Sequence, residues 1–407
     1  MTGKKKILLI HRYFWPDTPP YAVMLREMAK GLVDAGFDVT VFSSQPSYKL
    51  NLNIPKQAYD EDINGFKVVR NRLQMGSRKN IFTRVVDILS FCVGLFFYLM
   101  KSKHDICMIA TTPPIVGGLV LRLACQLKGT PYMYHCQDIY PEVALVSNSM
   151  QEGWLYRFLQ RIDLKTCESA MATIVLSDDM KQSMLHRGYQ NTDNLMVINN
   201  FELKSDMPEK SDVIDMDNRF FNVVFAGNIG RFQGLDTVVD AIKKLPIDSK
   251  VRFYFVGEGA ALKGIKEQLV SCIGSTVFFM GHQPISVTRR FLAKASLCLV
   301  TLQKDIIKYA FPSKTMTYLC EGKPILVMAE ESSALANMVK EYNLGFVVSP
   351  GNAQAMADTI LQASTNSEEN KQQSMCAKQF ALENFSTTHV VQKWVNLFRQ
   401  TLQTENK

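Results

Sequence analysis

Residues 309–328 read YAFPSKTMTYLCEGKPILVM. Phe311-Pro312 closes a loop, Ser313 is a favoured N-cap, and the run to Glu321 has the length and composition of a short helix. Gly322 is placed to stop that helix and Pro324 cannot continue it, so Pro324–Met328 opens a buried strand. Loop, helix and buried strand in that order form one step of a wound α/β sheet. The helix start also has a chemical consequence. Free N–H groups and about half a positive charge collect there, and Lys314 adds a cation where the helix dipole favours an anion. The stretch is therefore a candidate phosphate site. An ordinary αβ connection with a solvated lysine is the other reading.

Outward from this stretch the same alternation repeats. Strand-like runs FNVVFAG (221–227), RFYFVGEG (252–259), TVFFMGH (276–282), SLCLVT (296–301) and GFVV (345–348) are separated by helical patterns at 235–245, 260–270, 286–294 and 333–341. Helical runs 353–367 and 370–383 follow, and an amphipathic segment, 390–402, is left over after this sheet is complete. Upstream, residues 201–219 are polar, lack apolar periodicity and contain Pro208 and six acids, which marks a linker. Before it lies a second series, with strands at 6–10, 38–44, 66–71, 105–110, 131–135, 172–177 and 195–200. Helices are predicted between them at 22–36, 81–102, 115–129 and 154–170. The chain reads as two doubly wound parallel α/β domains.

Bulk composition narrows the class. At 407 residues, 47% hydrophobic and 21% charged, two or three domains with large cores are expected. Nine scattered cysteines without a CxxC pair fit reduced core thiols in the cytoplasm better than a zinc site or disulfide framework. The start, MTGKKKILLIHRYFWP, is too short in its apolar part for a signal peptide and reads as a first strand. The net charge of +8 is uneven: residues 67–128 hold ten Lys and Arg against Asp87 and Asp105. The same segment contains VVDILSFCVGLFFYLM (85–100), sixteen residues where a span needs about 20. A basic apolar helix of this kind suits docking on anionic lipid, a core position or, least well, a span.

In open α/β sheets ligands bind beyond the carboxyl ends of strands, so the loops there carry the chemistry. In the second half these are 226–234 (AGNIGRFQG), Gly257-Glu258-Gly259, Gly281-His282 and the opening stretch. Gly227, Gly230 and Gly234 allow close backbone approach, and Arg231 can pair with phosphate. Four such loops converging on Lys314 suit a nucleotide diphosphate. In the first half, 135–142 (HCQDIYPE) places His135, Asp138 and Glu142 at a strand end, which fits hydroxyl recognition, acid/base work or simply a polar loop capping the next helix. There is no Walker loop, HExxH, GxSxG or GxGxxG after the first strand, which disfavours a nucleotide triphosphatase, zincin, esterase or nicotinamide dehydrogenase. Asp215-Met216-Asp217 falls in the linker and Ser177-Asp178-Asp179 reads as a helix cap, so no catalytic metal is expected.

HRYFWPDTPPYAVMLREMAKGL, YHCQDIYPEVA, VINNF, FAGNIGRFQGLDTVVDAI, FVGEGA, FMGH and FPSKTMTYLCEGKPILV occur in this order over almost the whole chain. On these motifs the chain resembles the retaining glycosyltransferases of family four, in the bacterial branch that builds O-antigen and capsule, and is similar to N-acetyl-fucosaminyl transferases. The resemblance implies a GT-B fold, two Rossmann-like domains facing a central cleft. It divides the chain into an acceptor domain, 1–203 plus a crossover helix at 388–407, and a nucleotide-sugar domain, 204–387. The family's phosphate-binding Gly-Arg pair and following lysine correspond to Asn228 and Gln233, which leaves the charge to Arg231 and Lys314. Its paired glutamates correspond to Tyr309 and Thr317. The ribose contact is then expected from Glu321, one turn beyond Thr317 on one helix face, the other reading being a solvated charge beside the Gly322 cap, and the acceptor contact from His135 or Asp138. Ser313, Gly257, Glu258 and His282 complete the expected donor site.

What the resemblance implies is transfer of a sugar, an N-acetylated deoxyhexosamine, from a UDP-sugar to a polyprenyl-diphosphate-linked glycan. No metal or other cofactor and no nucleic acid is implied. The expected location is cytoplasmic and peripheral on the inner face of the plasma membrane, docked on anionic lipid through 67–128. A UDP-sugar 2-epimerase of the same fold and a non-catalytic membrane-bound assembly partner are the competing readings.

Overall fold

The computed structural model describes residues 3–17, 19–47, 55–73, 81–202 and 216–404, with backbone alone at 81, 231 and 404. Thr18, residues 74–80 of the basic segment, most of the polar run 201–219 and the Arg231 side chain lie outside the described residues. Two compact units are present, 1–203 with 387–407, and 204–386.

The first unit runs β1 (Lys6–Ile10), α1 (Pro20–Asp34), β2 (Asp38–Ser43), β3 (Asp60–Ile63), β4 (Phe66–Arg70), α2 (Ile81–Lys101), β5 (Ile106–Ala110), α3 (Val116–Lys128) and β6 (Tyr132–His135). It continues through α4 (Glu142–Val146), α5 (Trp154–Glu168), β7 (Ala172–Val175), α6 (Asp178–His186) and β8 (Leu195–Val197). The sheet order is β3-β4-β2-β1-β5-β6-β7-β8. Interior strands such as ICMIA are buried at every position because helices cover both faces of a parallel sheet. The periodicity reading lacks β3. Its sequence, DEDI, pairs antiparallel to β4 at the sheet edge, where its acids meet cations: Asp60 faces Lys67 and Arg72, and Glu61 holds the buried Arg70 at 2.7 Å.

The second unit comprises β9 (Phe221–Ala226), α7 (Leu235–Lys244), β10 (Val251–Val256), α8 (Leu262–Gln268), β11 (Val277–Gly281), α9 (Ile285–Lys294) and β12 (Leu297–Thr301). Then come α10 (Lys314–Cys320), β13 (Ile325–Met328), α11 (Ala334–Glu341), β14 (Gly345–Val348), α12 (Ala353–Thr365) and α13 (Ser367–Asn384). Its six strands are all parallel, in the order β11-β10-β9-β12-β13-β14. The last helix, α14 (Thr387–Thr404), belongs to the first unit: Val390, Trp394, Val395 and Phe398 share a buried core with Met24, Leu25 and Met28 of α1.

Each sheet grows one way from its first strand and then resumes on the other side of it. The switch falls between β1 and β5 in the first unit and between β9 and β12 in the second. Loops leaving those strands diverge and open a crevice at their carboxyl ends.

α2 resolves part of the ambiguity over residues 85–100. By length and composition residues 82–101 could cross a membrane, with mean hydropathy 1.7. One side of the helix is core: Phe91, Leu95 and Leu99 are buried, and the buried Asp87 meets Arg12 at 3.5 Å. The other side is exposed.

Candidate active site

In the second unit the crevice is framed by the β9–α7 loop and the β12–α10 connection. Tyr318 sets the spacing between them. Its hydroxyl accepts from the Ala226 N–H at 2.7 Å and donates to the Ala226 carbonyl at 2.9 Å, bolting the buried face of α10 to the end of β9. Lys314, one turn earlier on the same helix, is thereby carried over the loop. Its Nζ donates to Gln233 Oε1 at 2.5 Å and stands 3.7 Å from the centroid of the Phe225 ring. Burial costs the ammonium its hydration and pulls its pKa down to about 7.

The neighbouring loops are tied in sequence. Gly257 N–H donates to the Gly281 carbonyl at 2.7 Å, Ile229 N–H to Glu258 O at 2.9 Å, and Gly227 N–H to Val256 O at 2.9 Å. Gly257, at φ +144°, is required because a side chain there would run into the Gly227 carbonyl. Gly227, at φ +135°, is different: a Cβ there would meet only the Lys314 side chain, 3.9 Å from its Cε, so its bare backbone lies beside the cation. Gly230 is buried and begins the 3-10 turn that presents Gln233. Asn228, Glu258 and His282 are exposed at the strand ends.

Two expectations change. Ser313 occupies the N-cap position in a helical conformation, and its side chain makes no capping bond; Thr315 N–H donates instead to the Pro312 carbonyl at 3.0 Å. Glu321 is the C-cap of the helix, Lys314–Cys320, and its N–H still donates to the Thr317 carbonyl at 3.1 Å, so it stays one turn beyond Thr317. Its carboxylate faces Arg289 of α9 at 3.4 Å. Thr317 is half-buried one turn from Lys314. Tyr318 and Phe225 were not foreseen as site residues. A buried tyrosine four residues after Lys314 was a usable signal, because its hydroxyl needs a partner.

In the first unit, Thr111 links the ends of β5 and β6: its Oγ1 accepts from Gln137 N–H at 3.1 Å. Asp138, the next residue, is half-buried, and burial pushes its carboxyl up to about 6, within reach of physiological titration. His135 is placed otherwise than a proton donor for an external substrate requires. It is 1% exposed, with the ring packed 4.7 Å from that of Trp394. Gln137 Nε2 donates to its Nε2 at 2.8 Å, which leaves Nδ1–H for Tyr21 Oη at 2.9 Å. Gln137 and Asn200 then close the network by exchanging hydrogen bonds at 2.8 and 3.2 Å. Burial lowers the His135 pKa to about 3, so the ring is neutral and structural. Glu142 is likewise committed, to Gln160 at 2.7 Å and Arg187 at 3.5 Å.

Two parallel α/β units of this topology, one with a cation poised over a glycine turn at its switch point, define the GT-B glycosyltransferase class. Residues 21–200 match the family model described as glycosyl transferase 4-like domain, and residues 221–366 match glycosyl transferases group 1. The chain is a glycosyltransferase of this family-four, GT-B type. It is 24% identical over 270 residues to a Pseudomonas aeruginosa protein named as a glycosyltransferase, WbjE, a match covering 64% of this chain and 66% of that one. It is 20% identical over 411 residues to an Escherichia coli K12 protein named as a colanic acid biosynthesis glycosyl transferase, WcaI, covering 97% and 100%. Sucrose-phosphate synthase from Thermosynechococcus elongatus superposes with TM-score 0.75 at 16% identity, covering 98% of this chain and 100% of that one. HepE from Anabaena in complex with UDP gives 0.70 at 16%, covering 97% and 100%.

Proposed function

We propose that the chain is a peripheral membrane enzyme of surface-polysaccharide synthesis. It moves a sugar, an N-acetylated deoxyhexosamine, with retention, from a UDP-sugar to a lipid-diphosphate-linked glycan. The carrying observation is Lys314: a half-buried cation that has lost much of its hydration, held by Gln233 and Phe225 beside the bare backbone of Gly227. Such a group gains most when a diphosphate replaces its lost hydration. Arg231 is the proposed second cation. HepE, solved with UDP and with UDP-glucose, supports UDP as the donor nucleotide, and the names of WbjE and WcaI support a polysaccharide acceptor.

In the proposed reaction the C1–O bond to the β-phosphate breaks as the acceptor oxygen bonds C1 on the same face. The departing phosphate oxygen takes the acceptor proton, so UDP and a glycoside are the products. Lys314 stabilises the charge that develops on the leaving diphosphate, a role commonly worth about 3–4 kcal/mol. Asp138 is the first unit's candidate for holding the acceptor hydroxyl. The exposed carboxylate of Glu258 and the Thr317 hydroxyl remain candidates for the donor's hydroxyls. The epimerase reading needs acids and bases around the sugar, and Tyr309 and Thr317 stand where carboxylates would be needed.

Purified protein incubated with a panel of UDP-sugars and a lipid-diphosphate acceptor should release UDP with one of them. Lys314→Ala should lower turnover about 100-fold. Undiminished turnover in that variant would remove the donor from this strand end.

A further inference from the structure

The outer faces of α2, α3 and α5 have no part in the donor chemistry. On α2 the exposed positions are Phe82, Val85, Leu89, Val93, Phe97 and Met100, spaced by three or four, so they form one continuous apolar stripe. Leu123 and Leu127 extend it on α3, and Trp154, Leu155 and Phe158 on α5. Trp154 is 80% exposed and Phe82 72%. Eleven of the twenty-two exposed large apolar side chains among the described residues lie on these three helices, a concentration that singly scattered surface residues do not produce.

Topology puts the three stripes side by side. The crossovers β4→β5, β5→β6 and β6→β7 all step in one direction along the sheet, so right-handedness places α2, α3 and α5 on one of its faces. α2 packs on α3 and α3 on α5, while α1 and α14 cover the opposite face. Charge follows the same layer. Its exposed cations are Arg84, Lys101, Arg157, Arg161 and Lys165, joined by Lys103 just past α2. Its acids are withdrawn: Asp87 and Asp163 are buried against Arg12 and Arg187, and Glu168 is half-buried at the end of α5.

We propose that the outer surface of the α2–α3–α5 layer docks on an anionic phospholipid bilayer, with Trp154 and Phe158 of α5 as interfacial anchors. The proposal rests on the peripheral-membrane reading above and carries it to α5, outside residues 67–128. Apolar area ringed by cations, with Glu152 before α5 as its exposed acid and that one paired with Arg157 at 3.4 Å, matches the acyl boundary and phosphate layer of such a surface. A second copy of the chain is a poorer occupant, because a two-fold contact would press the same cations together. A span is excluded by the other side of α2, whose Phe91, Leu95 and Asp87 are built into the sheet core.

Sedimentation of the full chain with phosphatidylglycerol-rich vesicles tests this. Binding should exceed that to phosphatidylcholine vesicles by tenfold or more and weaken by a similar factor between about 0.1 and 0.5 M salt. Phe97→Asp and the pair Trp154→Asp/Phe158→Asp, all at exposed positions, should each lose about tenfold or more in binding. Ile247→Asp, fully exposed in the second unit, should lose nothing. UDP affinity measured on the same preparations shows that each variant is folded and tests the donor reading separately. Loss with Phe97→Asp but not with the α5 pair would keep a membrane enzyme and overturn the three-helix face. Equal binding to neutral and anionic vesicles would overturn it too, as would dimer dissociation by these variants with vesicle binding intact.

Discussion

Lys314 owes its low pKa to lost hydration, and that fixes a pH signature for donor binding. In the free protein the amine is half neutral near pH 7, whereas a bound diphosphate selects the ammonium form. Above pH 7 the competent form falls toward tenfold per unit, so the Kd for UDP should rise by on the order of tenfold between pH 7 and 8.5. Lys314→Arg, which stays charged, should show a flat profile at whatever affinity its shape permits. Calorimetric titration across that range decides the matter, and a flat wild-type profile would show that Lys314 does not meet the phosphates. Glu321 illustrates a residue whose partner only the fold reveals. With its carboxylate facing Arg289, Glu321→Gln should alter affinity for UDP and 2′-deoxy-UDP by the same factor. A loss confined to UDP would instead put Glu321 on the ribose.

At the scale of elements, α10 matters because Tyr318 ties its buried face to the end of β9. Tyr318→Phe leaves the Ala226 N–H and carbonyl without their side-chain partner in a buried site, which should cost about 1–3 kcal/mol and loosen UDP binding. A urea midpoint equal to the wild type would mean that the hydroxyl bolt carries no weight. Much of this architecture was legible beforehand. FNVVFA, ICMIA and ILVM are largely apolar runs, the first ended by Gly227 and the last opened by Pro324, and a strand buried on both faces leaves that trace in any context. DEDI left none, because an edge strand draws its stability from a hairpin partner and surface ion pairs. Ser313 misled for a different reason: its own backbone is already helical, and the first-turn N–H of Thr315 goes to the Pro312 carbonyl rather than to the serine side chain. His135 was unreadable as a core residue, since its surroundings, Tyr21, Trp394 and, through Gln137, Asn200, come from three distant segments.

For the molecule as a whole, the titratable groups are divided unequally between the two units, and this predicts how the protein responds to acid. His11, His104 and His135 belong to the first unit. Burial lowers them to about 4, 4 and 3, against 6.5 in an unfolded chain. Their contribution to stability is complete above pH 6.5 and is lost as pH falls toward 4, because the unfolded state takes up protons that the folded state refuses. Asp138, raised to about 6, and Asp163, also raised, act in the opposite direction over part of this range. A net uptake of one to two protons on unfolding remains, or about 1–3 kcal/mol per pH unit. The only histidine of the second unit, His282, is exposed at the end of β11. Acidification from pH 7 to 5 should therefore raise amide exchange in β1, β5 and β6 before β9, β10 and β12, and His135→Gln should reduce that pH dependence even if it lowers stability at pH 7. Exchange that rises equally in both sheets, or first in the second, would mean that the buried histidines do not govern the acid response.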